Sequence, residues 1–139
     1  MSEIQEVKFK FVNFLVRESH IVIKEQGENK IAVNFTANGF VFKNLNQFHL
    51  ELIVEIKEEA EKFHIALNTI SVFEFPADAD VEQYKANFFT LNAPAIAFPY
   101  IRAYITNLSA QSGLLSIILP TFNLTAMGEK LKENIQIIE

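Results

Sequence analysis

Residues 48–57 read Phe-His-Leu-Glu-Leu-Ile-Val-Glu-Ile-Lys. Phe48, Leu50, Leu52, Val54 and Ile56 fall on one side of an extended chain, and His49, Glu51, Glu55 and Lys57 fall on the other. Strict period-two alternation over this length marks a strand with one buried and one wet face. That is the signature of an antiparallel sheet. The neighbouring segments extend the pattern. Upstream, Ile31, Val33, Phe35 and Ala37 alternate with Asn34, Thr36 and Asn38, until Gly39 interrupts; Phe40 and Phe42 then follow in the opposite phase. A glycine inside a strand pattern predicts a bulge or bend. Earlier still, Val7, Phe9 and Phe11 give way to Val12, Phe14 and Val16, a one-residue change of phase that predicts a β-bulge, and Ile21 and Ile23 close this strand. Downstream, the acidic stretch Glu58-Glu59-Ala60-Glu61 reads as a solvated hairpin tip, and a fourth strand runs from about Phe63 to Phe75. Turns are expected at residues 25–29 and 44–46. Four strands joined in sequence by short turns predict an antiparallel meander over about residues 6–75.

Beyond Pro76 the period changes. Val81, Tyr84, Phe88 and Leu91 recur at helical spacing, with Asp80 as N-cap. Residues 92–94 interrupt this helix. A longer one follows to about Ser112, carrying Pro99 in its first turn and stopping at Gly113. Its apolar stripe includes Ile101, Tyr104, Ile105 and Leu108. Residues 114–119 predict an extended connection and residues 120–123 a loop. A last helix is expected from Thr125, with Met127, Leu131, Ile135 and Ile138 on one face. Strands followed by helices over residues 80–139 predict a single α+β domain spanning residues 1–139.

Composition narrows the function. The chain of 139 residues has a net charge of −5 and no cysteine. An acidic balance argues against nucleic-acid binding, which needs a basic field. The missing thiols exclude disulfides and cysteine catalysis, and they fit a reducing compartment. The N-terminal stretch has no apolar core of a signal peptide, and no run is long enough to span a membrane, so a cytoplasmic location is expected. His20, His49 and His64 sit at polar strand positions without metal-ligand spacing, and no catalytic motif is present; neither an enzyme nor a metal or cofactor is expected. The remaining peculiarity is fourteen Phe beside three Tyr and no Trp. That is many for one small core, so some are expected in an apolar groove or an oligomer seam. Phe73, Phe75, Tyr84, Phe88, Phe89 and Leu91 surround the sheet-to-helix crossover, and with Phe40 and Phe42 they form the candidate binding surface for other chains' apolar segments.

Residues 92–102, Asn-Ala-Pro-Ala-Ile-Ala-Phe-Pro-Tyr-Ile-Arg, resemble the start of the main helix of the SecB family, bacterial protein-export chaperones whose motif is Pro-x-Ile-Leu-Phe-Pro-Tyr-x-Arg-Glu. Pro94, Ile96, Phe98, Pro99, Tyr100 and Arg102 match; Ala97 and Ala103 depart from it. The order of strands, crossover, long helix and short helix is also similar to that family's. The resemblance implies an ATP-independent holdase for unfolded polypeptide, acting in protein export. It further implies a homotetramer, a dimer of dimers, with Ile101, Tyr104, Ile105 and Leu108 divided between core and seam. The SecA motor is the partner the family implies. The family's acidic tail has no counterpart here, which points instead to a divergent member dedicated to one client, such as an antitoxin. A sheet wrapped on a long helix also describes hot-dog-type thioesterases and lipid binders, but those need a catalytic carboxylate near the helix start, where this chain has Asn92 and Arg102.

Overall fold

A computed structural model describes residues 8–26 and 30–139. Val7 of the expected first strand and residues 27–29 of the expected first turn lie outside them. The chain forms β1 (Lys10–Ile23), β2 (Ile31–Phe42), β3 (Gln47–Glu58) and β4 (Phe63–Glu74), then α1 (Val81–Ala86), a π-helical turn (Phe88–Asn92), α2 (Ala93–Gln111), α3 (Leu124–Lys132) and β5 (Ile135–Ile138). The architecture is α+β, as expected: one mixed sheet of five strands carries the helices on one face.

The strand order is β1-β4-β3-β2-β5, so the expected meander is corrected. β2, β3 and β4 are successive antiparallel hairpins, but β1 lies beside β4 and not beside β2. This is a Greek-key arrangement. Burial agrees with this order: β1 is mostly exposed, as an edge strand is, whereas Thr69–Phe73 of β4 is buried throughout. Described residues that follow β1 and precede β2 bond to the β3–β4 hairpin tip. Lys24 N–H donates to Lys62 O at 2.8 Å, and Glu59 N–H donates to Lys30 O at 3.0 Å.

The phase change in β1 is a true register shift between Phe11 and Asn13, and a second lies between Val16 and Glu18. Gly39 makes no bulge; β2 pairs with β3 without interruption from Ile31 to Phe42. Its role is steric, because a Cβ there would meet the Phe48 ring at 2.8 Å. Glu58 is likewise not solvated. It is 4% exposed, and its carboxylate accepts N–H bonds from Ala60 (2.5 Å) and Lys62 (3.3 Å).

Among the helices, Asp80 caps α1 as expected, accepting from Glu82 N–H at 3.1 Å and Gln83 N–H at 3.4 Å. The helix expected from Val81 to Leu91 breaks at Asn87 (φ −140°, ψ −65°), and the chain continues as the π-helical turn straight into α2. Pro94, not Pro99, occupies the first turn of α2, and Pro99 lies inside the helix. Pro99 forgoes one helix bond, but it sits with Ala95 on the exposed side of the helix. The stop at Gly113 (φ 93°) stands as expected. The extended connection buries Leu114, Ile117 and Leu119. It is pinned to α2 by Thr106 Oγ1 donating to Ile117 O at 2.8 Å and Ile117 N–H donating to Ser109 Oγ at 2.9 Å.

The last helix is shorter than expected. α3 ends at Lys132, and residues 135–138 form β5, parallel to β2. Isoleucine at three of four positions favours extended chain once an open sheet edge offers backbone partners.

Candidate functional site

The crossover from β4 to α1 organises the largest group of aromatic rings. Phe75 ends the sheet, and residues 76–80 turn the chain over its edge. Tyr84 on α1 points inward; its hydroxyl donates to Lys8 O at 2.9 Å, and its ring lies 4.6 Å from Phe88. Burial raises the Tyr84 phenol above its ordinary pKa, with Asp78 adding to the effect. The π-helical turn then drives Phe89 flat onto Phe48, with ring centroids 4.1 Å apart. Phe73 stacks on Phe9 at 4.7 Å, and Phe9 in turn reaches Phe88 at 5.3 Å. Rings at these separations pack face-offset or edge-on and stiffen the whole crossover.

Against this block opens a cleft of about 420 Å³. Phe75, Ala77, Ala79 and Val81 of the crossover and Ile137 of β5 line it, together with Lys43, Asn46, Asp80 and Glu82. A lining that mixes apolar side chains with polar and charged ones suits a peptide, whose apolar side chains and polar backbone both find partners. A second cleft, of about 270 Å³, lies between β2 and α3, lined by Val33, Phe35, Phe122, Ala126 and Met127. Phe35 and Phe122 meet edge-on at 4.6 Å, and Phe98 joins them at 5.5 Å from Phe122.

The sequence-predicted surface is thus divided. Phe73, Phe75, Tyr84, Phe88 and Phe89 come together, with Phe73 and Phe89 fully buried as the supporting layer. Phe88 is half-buried, and Leu91 is 44% exposed at the end of the turn. Phe40 and Phe42 lie on the opposite face of the sheet, where Phe42 packs 4.5 Å from His49. Ile101 and Ile105 are fully buried under α2, while Tyr104 and Leu108 are half-buried beside them. Of the helix-start motif, Pro94 and Phe98 are buried, and Pro99 and Tyr100 face outward. Tyr100 covers Phe11 at 5.1 Å, and the Arg102 guanidinium stacks on Phe98 at 4.9 Å. Ile137, a cleft wall, was hidden by the helical reading of the last segment. Phe9 was visible only as a strand residue, although its ring ties the cluster together.

The three histidines share the outer sheet face without converging. His49 Nε2 meets Gln47 Oε1 at 3.0 Å, whereas His64 lies 3.9 Å from Glu55 and His20 3.7 Å from Glu18. Glu51 accepts from Asn38 Nδ2 at 2.9 Å and Asn68 Nδ2 at 3.3 Å, a polar ladder across three strands. Among the described residues, no cluster of three His, Cys, Asp or Glu is arranged to hold a metal, and no helix is long and apolar enough to cross a membrane.

No protein-family model matches the chain. It is 30% identical over 90 residues to the protein-export protein SecB of Anaplasma phagocytophilum; the match covers 63% of this chain but only 55% of that relative. It is 25% identical over 133 residues to the uncharacterised protein MJ0357 of Methanocaldococcus jannaschii, covering 89% of this chain and 84% of the relative. Among solved structures, it superposes with a TM-score of 0.69 on the Mycobacterium tuberculosis SecB-like chaperone Rv1957 in complex with a ChAD peptide from the antitoxin HigA1. That match covers 84% of this chain and 88% of the other, at 10% identity.

Proposed function

We propose that this chain is a divergent SecB-like protein, as its likeness to SecB and to the fold of a SecB-like chaperone supports, and that it is an ATP-independent chaperone that holds extended, non-native polypeptide in the cleft under its crossover. SecB-like chaperones are not enzymes, and the work here is binding. The observation that carries the reading is the cleft of about 420 Å³ lined by Phe75, Ala77, Ala79, Val81 and Ile137 beside Lys43, Asn46, Asp80 and Glu82. Its apolar contacts are non-directional, so they accept many sequences, and its polar groups can meet a client's backbone. Phe75 meets the client in the cleft, Phe88 and Leu91 extend the contact surface beyond it, and Phe73, Tyr84 and Phe89 hold the crossover in shape; Phe40 and Phe42 serve a client that reaches the outer face. The protein acts in the cytoplasm as a homotetramer, a dimer of dimers. Its client is a dedicated one, as the antitoxin peptide is for Rv1957; general service to export through SecA is the second reading, favoured by the likeness to SecB.

Suppression of aggregation of a denatured client tests the proposal. Val81→Asp places a carboxylate in the cleft, in the first turn of α1 beside Glu82, where the helix dipole tolerates it. Client affinity is expected to fall about tenfold, equivalent to ~1.4 kcal/mol. Wild-type protein that suppresses nothing at several-fold excess overturns the reading.

A further inference from the structure

The edge of β2 is only half filled. Gly39 N–H donates to Asn134 O at 3.1 Å, and Asn134 Nδ2 donates to Ala37 O at 3.4 Å, so the odd-numbered residues of β2 aim their backbone groups at this edge. By the period of two, Ile31, Val33 and Phe35 do the same. β5 pairs only with Gly39–Phe42. Among the described residues, no strand pairs with β2 on that side from Ile31 to Asn38. An open strand edge is a template for another extended chain.

β5 holds its own part of the edge weakly. It contributes four residue pairs in the parallel sense, against twelve between β2 and β3, and parallel pairing is the less stable per residue. Ile137 and Ile138 remain 37% and 39% exposed. The Lys43–Glu139 ion pair at 3.4 Å is solvent-exposed and holds little. Yet its seat is built to shape. A Cβ on Gly39 would come within 3.0 Å of Ile135 Cγ1 as well as 2.8 Å of Phe48, so the absent side chain makes room for a branched residue on the neighbouring strand. β5 also stands between the two clefts: Ile137 walls one, and the Phe35–Phe122 cleft begins beside the unpaired half of the edge.

We propose that β5 is a resident stand-in for a client strand, and that β2 takes up an extended client segment, running parallel to it with branched aliphatic residues at alternate positions, by displacing β5. This deepens the chaperone reading and rests on it. A client aligned with all of β2 gains backbone partners from Ile31 to Phe42 and reaches both clefts at once, which β5 cannot. Docked β5 weakens client binding in proportion to its occupancy.

Hydrogen exchange on the full chain tests the idea, with a synthetic peptide long enough to span β2 and carrying isoleucine at alternate positions. In a parallel ladder the Gln136 and Ile138 amides point to β2. Bound peptide is expected to speed their exchange while slowing that of Val33 and Phe35. Peptide binding with the two β5 amides still protected overturns the displacement and leaves the chaperone reading intact; failure of the peptide and of denatured clients to bind overturns both. A second measurement uses the cysteine-free background. Phe40 and Gln136 are register partners, and strands about 4.8 Å apart fall within disulfide reach. In Phe40→Cys/Gln136→Cys, oxidation is expected to weaken peptide binding at least about tenfold, and reductant to restore it. Equal affinity in the two redox states contradicts the proposal.

Discussion

The rings of Phe48 and Phe89 stack with centroids 4.1 Å apart and planes 11° from parallel, and both side chains are fully buried. Phe48 belongs to the central sheet and Phe89 to the π-helical turn, so this contact fixes the crossover to the sheet. Removing the outer ring leaves a void that the rigid strands beneath cannot fill. Phe89→Ala is expected to cost about 3–5 kcal/mol in denaturant unfolding. Leu91→Ala, two residues on and 44% exposed, is expected to stay within about 0.5 kcal/mol of wild type while weakening client binding. The pair separates the supporting layer from the contacting surface.

A tighter constraint lies between α3 and the same turn. A Cβ on Gly128 would fall 2.4 Å from the backbone oxygen of Thr90, which no rotamer change relieves. Thr90 itself is buried and anchored by Oγ1 donating to Lys85 O at 2.8 Å. Gly128→Ala is therefore expected to push α3 off the turn and cost about 1–3 kcal/mol. Calorimetry checks this, with exposed Ala126→Gly as the control for helix propensity alone.

These two contacts also show where a sequence stops being informative. The strands were legible because alternation such as Phe48 to Ile56 reports a buried face directly. The order of those strands was not, since β1 and β2 have similar patterns and only their partners distinguish them. The last segment misled because Leu131, Ile135 and Ile138 fit a helical stripe, while the partner that makes residues 135–138 a strand is β2, almost a hundred positions away (register Gly39 to Ile135). The aromatic cluster was legible as a composition and a neighbourhood. Which rings support and which are accessible depended on the turn at Asn87, where a local conformational break rotates Phe89 inward and leaves Leu91 outside.

The outward side of α2 bears on assembly. Ala103 is exposed there, flanked by half-buried Tyr104 and Leu108, with Tyr100 47% exposed one turn before. If α2 forms the seam of a dimer of dimers, a bulky charge at Ala103 blocks close approach of two helices at almost no cost to the protomer. Ala103→Arg is expected to change unfolding stability by less than about 0.5 kcal/mol while halving the mass seen by light scattering. A monomeric wild type contradicts the tetramer.

His49 supplies a pH dependence of known sign. Its ring packs 4.5 Å from Phe42 and bonds to Gln47 Oε1 at 3.0 Å, and partial burial lowers its pKa below the ordinary histidine value of 6.5. Among the described residues, no carboxylate forms an ion pair with it to offset that loss of hydration; Glu51, next on the same face, is engaged by Asn38 and Asn68. Above the unfolded value, histidine is neutral in both states and contributes nothing. As pH falls below about 6.5 the unfolded chain takes up a proton that the folded chain resists, so stability declines. The decline ends below the lowered folded value, where both states are charged. His49→Gln keeps a polar side chain without a titrating group. Its unfolding free energy is expected to be flatter than wild type on descending from pH 7 to pH 5. Chemical denaturation across that interval measures the difference, and parallel profiles for the two proteins refute the assignment.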